Sequence, residues 1–527
     1  VRNHSVAMRS CLLFTFTFAI CYPYKILVYN SKFGHSNINF FGNVADILVE
    51  AGHDVTSLLP QIDPAWGDGT TKSKKIYIPQ TAECKQLTDI LTSEQVDWFG
   101  ADMLHPLAFF MGSPYSDRFA AQCRGTIEQT ELIERLKNER YDVMIAENFD
   151  MCGIGLSHLI KPKALINGAA SVPLAWMYDE FGLPKAWRHN PSPLVSHLDV
   201  HSFWSRLKNL YAEAAFYHFF YTSRSLVEKL FKDKFGPDFP SLTQISSHAA
   251  YTIVNSEPLV DFATPTLNRI VYVGGLGART PKKIDKKLDK ILSQRARTVV
   301  ISFGTIVAAS QFNDEVKNSI VETVSRFPDV TFIWKYEKPN DEFAKKARKI
   351  APNLHLIEWI PQNDLLADSR LIAFITHGGM GSTQELAIMG KPGLFIPVLG
   401  DQPRNAGMME YNGLGKVFDK RDLSDSDKFT AAVADLLENE RYYVNARRIA
   451  AMIAKKPFGA KEQLIRTVEF AAEFGPSPAL RPQSHDMNWI EYNNIDIIAF
   501  SCLLAIGPIV VILLLVNWRR TSKKKTE

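Results

Sequence analysis

The sequence predicts an α/β protein: two facing, doubly wound Rossmann-like domains followed by one transmembrane helix. Three observations carry that expectation. Apolar strands alternate with helical segments in two separate runs, the pattern of parallel sheets covered on both faces. At 527 residues the chain is too long for one ordinary core, and it suits two domains of roughly 200 residues each. Near the C-terminus, residues 497–516 (IIAFSCLLAIGPIVVILLLV) carry no charge, and at about 1.5 Å per residue such a run crosses a hydrocarbon layer of about 30 Å.

The elements follow in order. Arg9 and CLLFTFTFAICYP, ending in the spacing Ala19-x-Cys21, read as a signal peptide over residues 1–23, too short to span a bilayer. A buried first strand is the other reading of that run. The chain opens on Val1, which places its natural start at Met8 or upstream. YKILVYN then reads as a strand, HSNINFFGNVADILVEAG as a helix ending at Gly52, and HDVTSLL as a second strand. ELIERLKNERYDVMIAEN gives helix and strand again, and an aromatic-rich helical stretch fills residues 185–245. From Arg269 the rhythm restarts with strands at RIVYVGG, TVVISFG, VTFIWKY, LHLIEWI, LIAFITH and GLFIPVL. The expected organisation is a first domain over 24–265, a second over 266–480, the span at 497–516 and a basic tail at 517–527.

Composition narrows the partners. Hydrophobic residues at 46% and charged residues at 22% fit a folded globular chain. The net charge of +4 lies in the last nine residues, RRTSKKKTE, which hold five basic groups and one acid. No basic face is left for nucleic acid. Trp489 and Trp518 stand where interfacial anchors belong, Pro508 is tolerable in a membrane helix, and the basic tail marks the cytosolic side. A single-pass type I topology follows. The ending Lys524-Lys525-Thr526-Glu527 resembles a dilysine address for return to the endoplasmic reticulum, though a basic stop-transfer flank has the same composition. Outside signal and span only Cys84, Cys123 and Cys152 remain, so one disulfide at most can form. No Cys/His cluster suggests a metal.

Ligands of such sheets bind beyond the carboxyl ends of the strands. The residues at those ends in the second run are Gly304 and Thr305, then Trp359 and Gln362, then His377, Gly378, Gly379 and Gly381, then Asp401 and Gln402. The glycines of THGGMGSTQE admit a bulky anion to bare backbone N–H groups, and Ser382 with Glu385 matches a capping box opening a helix. His377 can add a hydrogen bond, or a charge if protonated. Trp359 can stack on a base, and an acid with an amide can accept from adjacent sugar hydroxyls. Each feature also has a plainer reading, as tight packing, core tryptophan or solvated turn. Together they spell a nucleotide-sugar.

LHLIEWIPQNDLLADSRLIAFITHGGMGSTQELAIMGKPGLFIPVLGDQPRNA, residues 354–406, resembles the signature of the UDP-glycosyltransferase family of animal UDP-glucuronosyltransferases, and the whole architecture is similar to an invertebrate member. The resemblance implies the GT-B fold, an acceptor domain first and a UDP-sugar domain second. It implies Trp359 on uracil, Gln362 beside the uridine, His377 and the following amides on the pyrophosphate, Glu385 on the ribose, and Asp401 with Gln402 on the sugar. Vertebrate members usually carry Asn where Gly381 stands. His35, after the first strand, matches the family's general base, although alone it also reads as a structural residue or helix cap. The family's orienting Asp is replaced by Glu147 in RYDVMIAENFD, with Asp150 as the other candidate.

The implied function is an inverting, metal-independent transfer of glucuronate or glucose from a UDP-sugar to a hydroxyl of a small lipophilic acceptor, a detoxification-type conjugation without cofactor. Aromatic residues from 171 to 225 (Trp176, Tyr178, Phe181, Trp187, Phe203, Trp204) form the expected acceptor wall, unless they are ordinary core. A catalytically silent, membrane-anchored nucleotide-sugar or lipophile binder is the alternative. The acceptor and the oligomeric state, homo- or hetero-oligomer included, stay open.

Overall fold

A computed structural model of the chain describes residues 23–523 except 94–98, 101, 106–113, 185, 279–280 and 306. The expected signal peptide, but for its last residue, and the four residues of the dilysine ending lie outside the described residues. The first half contributes β1 Lys25–Tyr29, β2 Asp54–Pro60, β3 Lys74–Ile78, β4 Val143–Glu147, β5 Ala164–Ala169, β6 Tyr251–Val254 and β7 Ile270–Tyr272. They form one parallel sheet in the order β3-β2-β1-β4-β5-β6-β7. The second half supplies β8 Arg297–Ser302, β9 Val330–Lys335, β10 Leu354–Ile357, β11 Leu371–Thr376, β12 Gly393–Phe395 and β13 Gly415–Val417. These make a second parallel sheet, β10-β9-β8-β11-β12-β13.

Two-sided burial explains the near-continuous apolar strands. Along β1, Leu27 and Tyr29 pack on one face with Met144 and Cys152. Ile26 and Val28 pack on the other with Phe41 and Val44. In β8, Val299 and Ile301 face one core and Val300 the opposite one. The helices that matter for the site are α1 His35–Glu50, α2 Phe203–Phe235, α3 Gln362–Ala367, α4 Met380–Met389, α5 Gln402–Tyr411, α6 Ala460–Phe474 and α7 Ile495–Lys523.

Two expectations need correction. RIVYVGG does not open the second sheet; its strand, β7, pairs with β6 at the edge of the first. Nor does the second half keep to itself. Leu464, Val468, Ala471 and Ala472 on α6, one stripe at helical spacing, sit in the first domain's core against Ile26 and Val28. An apolar strand and an amphipathic helix show which face they bury, but not which sheet receives it.

Both strand orders reverse direction at a switch point, between β1 and β4 in one sheet and between β8 and β11 in the other. Crevices form there beyond the carboxyl ends of the strands. The apolar helix α7 leaves the globular part with no residue of its membrane-length window buried, and Pro508 lies inside it, as fits a membrane anchor.

Cys123 and Cys152 form the one disulfide among the described residues, and Cys84 stays a buried thiol. The bridge closes a sequence separation of 29 within the core beneath β1 and β4. Exchanging Cys123 for Ser is expected to lower stability by about 2–4 kcal/mol, read as a reduced Tm by calorimetry.

Candidate active site

One cleft of ≈ 1490 Å³ runs between the two sheets. Every catalytic and donor-binding candidate lines it except Gly378 and Asp150: His35, Glu147, Gly304, Thr305, Trp359, Gln362, His377, Gly379, Gly381, Ser382, Glu385, Asp401 and Gln402. Chain order explains the convergence. His35 follows β1 and Glu147 ends β4; Gly304 follows β8 and His377 follows β11. The two switch points therefore face each other across the cleft.

The turn at 377–381 uses its three glycines for three different reasons. Gly378 has φ +82, a left-handed conformation that favours glycine. At Gly379 a Cβ would come 2.6 Å from His377 Nε2, and at Gly304 (φ +83) it would come 2.7 Å from His377 Cε1, so the imidazole is clasped between two bare backbones. Gly381 has nothing within 4 Å and opens onto the cleft. The capping box is not formed. The N-cap of α4 is Gly379, without a side-chain cap, and Ser382 and Glu385 lie inside the helix. Both accept from Gln362 Nε2, at 3.0 and 2.7 Å. Because the helix starts earlier than the motif suggested, its first amides stay bare at the cleft, and Glu385 has no capping duty to compete with a ligand.

His377 is half-buried, bonded to the Ser302 backbone, and burial holds it down at about 4, helped by the Lys335 charge. It is neutral near pH 7 and offers a hydrogen bond, not a charge. Binding of UDP-glucose, whose diphosphate diester has no proton to lose in this range, is expected to change less than about threefold between pH 5.5 and 8, since a pKa of about 4 lies below that window. Affinity rising as pH falls through 6.5 in a calorimetric titration would reveal an imidazolium instead.

Asp401 accepts from Asn405 Nδ2 at 2.9 Å, and burial pushes its carboxyl up. Gln402 differs from expectation. Its Oε1 accepts from the Val398 and Leu399 backbone N–H groups at 2.8 and 3.0 Å, which leaves the side chain to donate, not accept, toward a ligand. Trp359 is 61% exposed, so it is not core, and its ring stands edge-on to His35 with 6.3 Å between centroids.

His35 opens α1 behind Gly34, and the Asn39 amide nitrogen lies 3.1 Å from its Nδ1. Glu147 is fully buried. It accepts from Ser31 Oγ at 2.9 Å and from Asn37, which shares the first turn of α1 with His35. Asp150 accepts from Tyr29 and from the Cys152 backbone, each at 3.0 Å. Burial, then the Asp150 charge, pushes Glu147 well up, and burial raises Asp150 to about 6. The two buried carboxyls titrate as one coupled pair.

The acceptor wall comes from the expected segment but from other residues. Trp176, Tyr178 and Phe181 are core, with Trp176 stacked 3.6 Å from Phe220, while Phe203 and Trp204 point to solvent. The lining is Met177, Phe216, Phe219 and Phe220, joined by Phe33 and Phe149. Aromatic content marked the segment, but the phase of α2 decides which rings face the cleft. Lys335 was missed altogether. It ends β9, donates to the Gly304 carbonyl at 2.8 Å and lines the cleft. A lysine closing an apolar strand on the binding edge was the signal.

Two facing parallel sheets with one cleft between their switch points define the GT-B glycosyltransferase fold. Solved structures agree on the fold. The glycotransferase of kitacinnamycin matches with TM-score 0.58 and 17% identity, covering 86% of this chain and 99% of that one. Phytolacca americana UGT2, complexed with UDP-2fluoro-glucose and pterostilbene, matches with TM-score 0.57 and 14% identity, covering 85% and 100%. The family model for UDP-glucoronosyl and UDP-glucosyl transferases matches residues 24–527, and the chain belongs to that family. The Caenorhabditis elegans protein ugt-48, itself an inferred UDP-glucuronosyltransferase, is 29% identical over 497 residues, covering 90% of this chain and 91% of the relative. Mouse UDP-glucuronosyltransferase 1A7 is 25% identical over 480 residues, covering 89% and 86%. The protein is thus an enzyme that transfers a sugar from a UDP-sugar donor.

Proposed function

We propose that the enzyme conjugates a small lipophilic alcohol or phenol by inverting transfer, a detoxification-type reaction. The observation that carries this reading is the confrontation of the two switch points across one cleft, with an imidazole and an aromatic wall on one side and the donor residues on the other. His35 takes the acceptor's hydroxyl proton as its oxygen bonds to the sugar C1, and the C1–O bond to UDP breaks on the opposite face. Trp359 stacks on uracil. Gln362 and Glu385 hold the uridine and ribose, and Asp401 with Gln402 the sugar.

The departing diphosphate is met by the first amides of α4 and neutral His377, with the Lys335 ammonium nearby. Such stabilisation needs no metal, so chelator should leave turnover unchanged. The related Phytolacca structure holds a UDP-sugar analogue and pterostilbene together, and the cleft here is roomy enough for donor and aromatic acceptor at once. An endoplasmic reticulum membrane with the cleft in the lumen is the location this reading takes, supported by the anchor helix.

The test is turnover of 1-naphthol by the full chain in detergent with UDP-glucose and UDP-glucuronate, with the product's anomeric configuration read by NMR. A β-linked product from an α-linked donor supports the reading; retention, or no product with either donor, overturns it. Glu147 acts on this scheme through Asn37 and the first turn of α1. Because glutamine can still accept from Asn37 and donate to the Ser31 hydroxyl, Glu147→Gln should keep kcat within about tenfold, and Glu147→Ala should lose more. A loss of about 10³-fold in Glu147→Gln would instead show a carboxylate–imidazole relay.

A further inference from the structure

Resting on the reading that Asp401 and Gln402 hold the transferred sugar, we propose that Met103, from the first domain, completes this subsite and sets it for a neutral hexose over a hexuronate. Phe99 and Met103 both touch the second domain. Phe99 is 7% exposed within the second domain's core, its ring 4.6 Å from Phe312 and 6.3 Å from Phe303. Four residues on, Met103 Sδ accepts from the backbone N–H of Gly400 at 3.1 Å, the residue directly before Asp401. Gly400 has nothing within 4 Å where a Cβ would stand, so the space beside it is open to a ligand. The thioether, the acid and the amide thus line one end of the cleft together.

Charge decides the sugar class. A hexuronate carboxylate set beside Asp401 needs a cation with donors to spare, because two carboxylates in one site repel. Lys282 also lines the cleft, but at α3, where its backbone N–H donates to Asp364 at 2.8 Å, on the side assigned to uridine; four other cations of the second domain are engaged. Lys420 Nζ donates to the Val398 carbonyl at 3.0 Å, Arg421 pairs with Asp419, and Arg404 pairs with Asp261 at 2.8 Å, both buried. Lys335 is held by the Gly304 carbonyl and by Glu337 at 3.0 Å. What faces the sugar is a carboxyl, an amide that donates, and an uncharged thioether. The polar pair hydrogen-bonds hydroxyls, and the thioether covers a C–H face; none of the three neutralises a second carboxylate.

The experiment measures kcat/KM for UDP-glucose and UDP-glucuronate, with 1-naphthol, on the full chain and on Met103→Lys and Met103→Leu, with UDP affinity measured in each. The wild type is expected to favour UDP-glucose by about tenfold or more, Met103→Leu to hold the donor ratio within about threefold, and Met103→Lys to move it about tenfold toward UDP-glucuronate. UDP affinity should stay constant, because Met103 contacts Gly400 and none of the residues assigned to uridine. A wild-type preference for UDP-glucuronate overturns the proposal while leaving the transferase reading intact. So does a ratio unmoved in Met103→Lys when UDP still binds. A wild type that neither binds UDP nor turns over either donor overturns the donor-site reading and this proposal with it.

Discussion

Replacing His35 by alanine is expected to lower turnover by roughly 10²–10⁴-fold, the usual contribution of a positioned general base. UDP affinity should change little, because His35 belongs to the first domain's wall and its contact with Trp359 is a single edge-on approach at 6.3 Å. The check is a pair of measurements on one preparation: kcat with 1-naphthol and a calorimetric UDP titration. If turnover survives while UDP binding is intact, the proton is taken elsewhere and His35 is only the residue that opens α1. If both are lost, the residue is structural, because a base contributes nothing to binding UDP alone.

Gly304→Ala is expected to damage the opposite wall. At φ +83 the backbone favours glycine, and the added methyl would stand 2.7 Å from His377 Cε1. A left-handed conformation costs a non-glycine residue about 1–2 kcal/mol. Displacing His377 adds loss of the hydrogen bond proposed for it at the diphosphate. UDP-glucose affinity should fall by about tenfold or more by titration, with a lower Tm. Gly381→Ala is the contrast. That position is helical and open, so alanine should not lower the Tm, since it favours a helix over glycine by about 0.5–1 kcal/mol.

These contrasts show what was legible beforehand. Strand ends were readable because a parallel strand buried on both faces has an unmistakable apolar run, and the residue after it must lie at the ligand edge. His35, Gly304 and His377 stand after such strands and line the cleft. Side-chain direction was not readable. Gln402 looked like a sugar acceptor because an amide has both functions, and only the fold gives its oxygen to Val398 and Leu399. Ser382 and Glu385 matched a capping motif whose spacing also places them on one helical face, where Gln362 joins them. Trp176 and Phe220 stack on each other from two different helices and only Phe220 lines the cleft, a distinction aromatic content cannot resolve.

The packing of α6 has a practical consequence for building chimaeras within the family. A cut between the two halves near residue 265 separates Ile26 and Val28 from Leu464 and Val468, which share one core. Each fragment produced alone would expose an oily stripe and aggregate. A hybrid carrying a new acceptor half therefore has to import that half's matching stretch equivalent to Ala460–Phe474 as well, so the transplantable unit is two pieces of sequence and not one.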